Sequence, residues 1–256
     1  MVGYRHYGRL GNFLFQTAAA IGYANKHGLE FSAPSQTNDE YWNPLYLQHL
    51  VNPNYVQGRE DVLINENGHH YQELPFEEEW RDKQIVLNGY FQSEKYFEHC
   101  KDLVLKLFNY PHITELLTCS VHVRRGDYLK YSTKHPPVTK EYLTNAMDLV
   151  LEKDNSVAEF AFFSDDLDWC RSEFGDEYKG CLMSYRSNEI EVDLVNMSMC
   201  EHNIISNSTF SWWGAWLNQN PDKIVVCPHE DNWFGIDNKH LDVKDLYPKD
   251  WYRIKY

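Results

Sequence analysis

Cys119-Ser-Val-His-Val-Arg-Arg-Gly-Asp-Tyr128 joins a short apolar run to two adjacent arginines. Cys119 to Arg124 reads as a buried β-strand, and the arginines fall at its carboxyl end. The chain has 24 basic and 38 acidic residues, a net charge of −14, so this pair is a local reversal of its charge. A guanidinium presents a planar fork of donors that matches phosphate oxygens and stays charged when partly desolvated. The pair therefore points to a bound anion, a nucleotide diphosphate in the first instance; an ion pair with the surplus carboxylates is the alternative. Strand neighbours face opposite ways. Arg124 is accordingly the candidate for the phosphates and Arg125 is read as partly structural. His122 shares the face of Arg124, either on the donor side of a site or as a core histidine with a satisfied ring.

Outward from this strand, apolar runs alternate with helical periodicity. Thr139 can cap a helix in which Tyr142, Ala146 and Leu149 recur on one face. Phe160-Ala-Phe-Phe163 is a strand that stops at Ser164-Asp-Asp166, and Ile190, Leu194 and Met197 give another helical face. Asn203-Ile-Ile205 resumes the sheet, Ser206-Asn-Ser-Thr209 precedes a helix containing Trp212, Trp213 and Trp216, and Lys223-Ile-Val-Val226 is a strand closed by Pro228. Strands joined by crossover helices form parallel sheets, whose ligands sit beyond the carboxyl ends of the strands. That rule puts Arg124 and Arg125, Asp165 and Asp166, and Ser208 to Ser211 along one rim.

The first half is less regular. Gly8-Arg-Leu-Gly11 leads into a helix from about Asn12 to Lys26, stopped by Gly28. Residues 32 to 80 are polar, with weak periodicity, and receive no assignment. Ile85-Val-Leu87 is a strand, and a helix is expected from near Ser93 through Leu107. Pro111 marks a boundary, which gives two domains, 1–115 and 116–256.

Composition excludes several classes. A nucleic-acid footprint needs a spread basic face, which is missing. The six cysteines form no CxxC pair or finger spacing, so they read as reduced, buried thiols. With neither a signal peptide nor an apolar span recognised, a cytoplasmic protein is expected, docking on a membrane surface being compatible with this; the sequons at Asn196 and Asn207 are then incidental. His69-His70 and His229-Glu-Asp231 lack the H-E-x-x-H spacing of a helical metal site. Asp165, Asp166 and Asp168 admit three readings: a magnesium site for a diphosphate, helix-capping acids, or a carboxylate on a purine edge. The tryptophan-rich helix is core or a sugar platform.

Taken together, GRLGNFLFQ (8–16), GYFQSEKYF (89–97), HVRRGDY (122–128), FFSDDLDWC (162–170), SNSTFSWWGAWL (206–217) and CPHEDNWF (227–234) resemble the α1,2-fucosyltransferase family, glycosyltransferase family 11. The resemblance implies an α/β fold of GT-B type, two Rossmann-like domains with parallel sheets facing a cleft. It implies inverting transfer of L-fucose from GDP-fucose to the 2-hydroxyl of a galactose-like residue on a glycan acceptor, with no cofactor and no obligatory metal. Phe13 stands where the family commonly has Gln. Carried over by residue, Arg124 matches the arginine on the diphosphate and Arg125 its neighbour. Asp165 or Asp166 matches an acid that reads guanine, while Asn207, Ser208, Thr209 and Ser211 lie in a phosphate-binding turn that His122 adjoins. Asn12 matches a cleft asparagine, Gln92 belongs to the acceptor side, and Asp127 is the candidate base. The rival readings are another fucose linkage, a magnesium-dependent transferase using Asp166 and Asp168, and a non-catalytic nucleotide-sugar or glycan binder.

Overall fold

The computed structural model describes residues 1–34, 48–108, 115–186 and 189–256. The chain forms two compact units, residues 1–109 with 242–248, and residues 110–241 with 249–256. Pro111 lies outside the described residues. The segment 242–248 belongs with the first unit, so the chain returns there after building most of the second.

In the first unit, β1 (Val2–Tyr4), β2 (Val62–Asn65) and β3 (Ile85–Asn88) make a parallel sheet in the order β1-β3-β2. The first helix, α1 (Leu10–His27), is buried without interruption from Phe13 to Ala24 and ends where Gly28 turns left-handed at φ 64°. Its Gly28 N–H closes the helix on Ala24 and Asn25 carbonyls. The helix expected from Ser93 through Leu107 is interrupted. Ser93 caps a single 3-10 turn, Glu94–Tyr96, and a second turn, Glu98–Cys100, precedes α2 (Lys101–Phe108). Between the turns Phe97 leaves the helical basin at φ −142°, ψ 1°, and its ring is fully buried beside Phe15. Burying that ring decides against a continuous helix.

The second unit runs β4 (Glu115–Val123), α3 (Gly126–Lys130), α4 (Lys140–Lys153), β5 (Glu159–Ser164), α5 (Leu167–Phe174), β6 (Glu177–Tyr178), β7 (Cys181–Arg186), α6 (Ile190–Met199), β8 (Cys200–Ile204), α7 (Thr209–Leu217), β9 (Val225–Pro228) and β10 (Tyr252–Ile254). Its sheet has the order β10-β9-β8-β4-β5-β7-β6, and only β6 is antiparallel to its neighbour. Strand β4 ends at Val123, so Arg124 stands just beyond it. Thr139 caps α4 by accepting from Tyr142 N–H. The helix buries Tyr142, Leu143, Ala146, Met147 and Val150 against Val121, Val123, Phe160, Phe162, Ile204 and Val226. Fully burying a side chain such as Leu143 stabilises by about 1.5 to 3 kcal/mol. Trp212, Trp213 and Trp216 of α7 are fully buried, which settles their role as core. All six cysteines are free and buried.

Candidate active site

From β4 the chain builds outward through β5 and β7, then crosses to the other side of β4 for β8, β9 and β10. The order therefore reverses at β4, and the crevice beyond the carboxyl ends at such a reversal is where open α/β sheets bind ligands. Three strand ends meet there: Arg124 and Arg125 after β4, Asp165 and Asp166 after β5, and Ser206 to Ser208 after β8.

The parallel register sets their partners. His122 pairs with Phe163 and Val123 with Ser164, so the next residues, Arg124 and Asp165, adjoin. Arg124 Nη1 reaches Asp165 Oδ2 at 2.8 Å and its Nη2 reaches Asp127 Oδ1 at 2.6 Å. Arg125 donates its main-chain N–H to Asp165 Oδ1 at 2.9 Å and its Nε–H to Asp166 Oδ2 at 2.9 Å. Its guanidinium lies 4.0 Å from the centre of the Trp169 ring. A Cβ on Gly126 would come within 2.7 Å of Asp165 Oδ2, so glycine is what lets this carboxylate sit under the arginine turn. Asp165 thus orders both arginines. Asp166 caps α5 by accepting from Trp169 N–H with its second oxygen, while Asp168 is exposed. Asp166 thus caps a helix, as one of the three readings of the acidic cluster has it, and also pairs with Arg125.

His122 is buried, and its Nδ1 lies 2.7 Å from Ser206 Oγ. Burial, with the Arg124 charge adding to it, pushes the imidazole down to about 3, so the ring is neutral at physiological pH. Its place is beneath the site. Asn207 is also buried, and its amide donates to Pro136 O at 2.8 Å and Trp233 O at 3.1 Å. Ser208 caps α7, Thr209 opens the helix, and Ser211 donates back to Ser208 O at 3.3 Å. Tyr128 donates to Asn207 O at 3.0 Å, tying the arginine turn to the serine loop. Trp169, Tyr128 and Ser206 were not singled out as ligands by the sequence, although all three lie in or beside its motifs.

In the first unit, Gln92 Nε2 donates to Asn12 Oδ1 at 2.9 Å, so the structure brings these two candidates together. Phe13, next to Asn12, is buried edge-on to Tyr4 and belongs to the core.

Among the described residues one cluster, Asp154, Glu201 and His202, has metal-like spacing. Ile224 N–H donates to His202 Nδ1 at 3.0 Å, so Nε2 carries the hydrogen and donates it to Asp154 Oδ2 at 3.0 Å. That tautomer leaves no ring lone pair for a metal. Hydrogen bonds from Ser156 and His202 hold Asp154 down to about 2, as expected of a carboxylate already satisfied.

Two units, one with a doubly wound sheet whose reversal point is lined by arginines and one with its own parallel sheet, match the GT-B class of glycosyltransferase fold. A mutant of Arabidopsis thaliana FUT1, solved in complex with GDP, has this fold: it aligns with a TM-score of 0.50 over 91% of this chain and 72% of its own, at 11% identity. The model of Glycosyl transferase family 11 matches residues 81–255, and the chain belongs to that family. Similar relatives include an alpha-1,2-colitosyltransferase of Escherichia coli, 32% identical over 65% of this chain and 61% of its own length. Escherichia coli O-antigen biosynthesis glycosyltransferase WbnK is 34% identical over 60% of this chain and 56% of its own. Bos taurus galactoside 2-alpha-L-fucosyltransferase SEC1 is 24% identical over 82% of this chain and 62% of its own. The chain spans about three fifths of the length of these relatives. No described helix is long and apolar enough to cross a membrane.

Proposed function

We propose that this chain is an inverting α1,2-fucosyltransferase that moves L-fucose from GDP-fucose to the 2-hydroxyl of a galactose-like residue on a glycan. The observation that carries the reading is Arg124, a fixed guanidinium just beyond β4 at the sheet's reversal point. As the anomeric carbon separates from GDP, negative charge grows on the diphosphate. A guanidinium already held in place stabilises that charge without reorganising. Arg125, stacked on Trp169 and paired with Asp166, keeps the turn in place.

The acceptor hydroxyl attacks the face opposite GDP and gives up its proton. Asp127 is the candidate base: a diphosphate competing for Arg124 loosens the 2.6 Å ion pair that otherwise holds its carboxylate. In the first unit, Asn12 is assigned to catalysis in the cleft and Gln92 to the acceptor side. In this reading Arg124 supplies the charge, and no divalent cation is invoked. The protein is assigned to the cytoplasm, with docking on a membrane surface compatible with this.

The test is GDP release from GDP-fucose with and without a β-galactoside, with the product linkage read by NMR. Turnover is expected only with acceptor, to persist in EDTA, and to fall by at least about a hundredfold in Arg124→Ala. Undiminished turnover in that variant refutes the arginine assignment. Because one relative is named for colitose, GDP-colitose is the rival donor, and a preference for it would change the sugar while leaving the site intact.

A further inference from the structure

Gln92 is 7% exposed, and although its Nε2 is bonded to Asn12, its Oε1 has no hydrogen-bond partner. Buried acceptors are nearly always paired, and an exception needs a reason. A ligand hydroxyl is one such reason, provided the backbone holds the amide where the ligand arrives.

Glu66, immediately after β2, does that holding. Its Oε2 accepts from Tyr90 N–H at 2.7 Å and its Oε1 from Phe91 N–H at 2.8 Å, so both oxygens are spent on the turn that ends in Gln92. Its own N–H donates to Asn88 O at 2.9 Å, which closes the other side of that turn. Gly89 admits the carboxylate: a Cβ there would lie 2.3 Å from Glu66 Cβ. Phe91 is held left-handed at φ 52°, a strained conformation for an aromatic residue, with its ring fully buried edge-on to Tyr96. Strain of this kind persists only where the surroundings impose it, and the two carboxylate bonds hold the strained residue's own N–H and that of the residue before it. Among the described residues, no cation pairs with Glu66.

We propose that Glu66 is a positioning residue for the acceptor glycan: its carboxylate fixes residues 89–92 so that Gln92 offers Oε1 to an acceptor hydroxyl. The proposal rests on the fucosyltransferase reading and assigns a residue that none of the sequence motifs contains. It also predicts a pH effect. Burial pushes Glu66 up to about 7, against the opposing pull of its two amide bonds. Only the ionised group accepts fully from both amides, so acceptor affinity falls as pH drops through 7. The phenols of Tyr90 and Tyr96 nearby are raised above their ordinary value and stay neutral. His69, stacked on Tyr90, and His70, whose carbonyl accepts from Tyr96, also face this turn, so the variant must separate them from Glu66.

The experiment compares wild type with E66Q, whose amide keeps one acceptor but turns a second donor towards an N–H, and with E66A. Initial rates are measured with GDP-fucose and a β-galactoside between pH 6 and 8.5, and exchange is followed at the Tyr90 and Phe91 amides. Expected are an acceptor KM raised about tenfold in E66Q at high pH, a GDP-fucose KM within roughly twofold of wild type, and loss of the acceptor-side pH dependence. The two amides should exchange at least about tenfold faster. An acceptor KM unchanged in E66Q, a parallel rise in both KM values, or a pH dependence that survives the substitution overturns the proposal. Should wild type transfer no fucose to any galactoside, the fucosyltransferase reading falls by itself. Exchange then still decides the clamp, with unchanged protection in both E66Q and E66A overturning it.

Discussion

Arg124 is paired with two carboxylates, and Arg125 is spent on Asp165, Asp166 and Trp169. Under the proposed function a donor diphosphate would replace existing partners of Arg124 rather than fill an open cationic pocket, which would temper affinity and favour charge that grows late. The arginine pair was legible as a charge anomaly. The ownership of Asp165 was not, because it depends on the register that sets His122 opposite Phe163. His122 gives a separate test at this scale. Its folded value, about 3, lies below the ordinary 6.5, so the unfolded chain takes up the proton first. The stabilising contribution is present above 6.5 and is lost as pH falls towards 3, by at most about 1.4 kcal/mol per pH unit. In urea titrations between pH 7 and 4, wild type should lose stability more steeply than His122→Asn, whatever the variant costs at neutral pH. Identical slopes would show that another group carries the acid sensitivity.

At the scale of elements, β4, β5, α4 and α7 were readable because each is an unbroken apolar run or stripe bounded by a cap or a polar stop. β2 was not, since four residues in a polar tract show no period of their own. β7 was not either: Leu182 is 66% exposed on it, so apolar content there did not track burial. The 93–108 region failed for a different reason, since its periodicity is helical and only the burial of Phe97 breaks it. That break is packed against α1. A Cβ on Gly22 would lie 2.1 Å from the Tyr96 carbonyl oxygen and 3.0 Å from Phe97 Cα, main-chain atoms that have no rotamer to escape into. Gly22→Ala should therefore destabilise the first unit by about 1 to 3 kcal/mol, although alanine is the better helix former. A lower urea midpoint with undiminished helical signal is the expected result; a stabilised variant would mean that helix propensity outweighs the close approach.

For the whole molecule, position along the chain does not by itself decide which unit a residue stabilises. The units divide between residues 109 and 110, yet 242–248 returns to the first. The fastening is specific: Asp245, whose side chain is only 12% exposed, accepts from Tyr71 N–H at 3.1 Å and pairs with the Lys95 ammonium. Lys95 lies in the 3-10 turn that follows Gln92 and Ser93, and its N–H donates to the capping Ser93 Oγ. Sequence offered no sign of this, because a lone aspartate among Asp242, Lys244 and Tyr247 looks like a solvated loop. Hydrogen bonds to a charged group contribute about 1.5 to 3 kcal/mol, so Asp245→Ala should cost the first unit that much, and Asp245→Asn less, since the amide oxygen still accepts from Tyr71. Both effects are read as urea midpoints of the intact chain together with exchange at the Tyr71 amide. That amide should lose protection in Asp245→Ala and keep most of it in Asp245→Asn. If Tyr71 exchanges at the wild-type rate in the alanine variant, the returning segment is held by its apolar residues Val243, Leu246 and Tyr247 instead, all of which are buried.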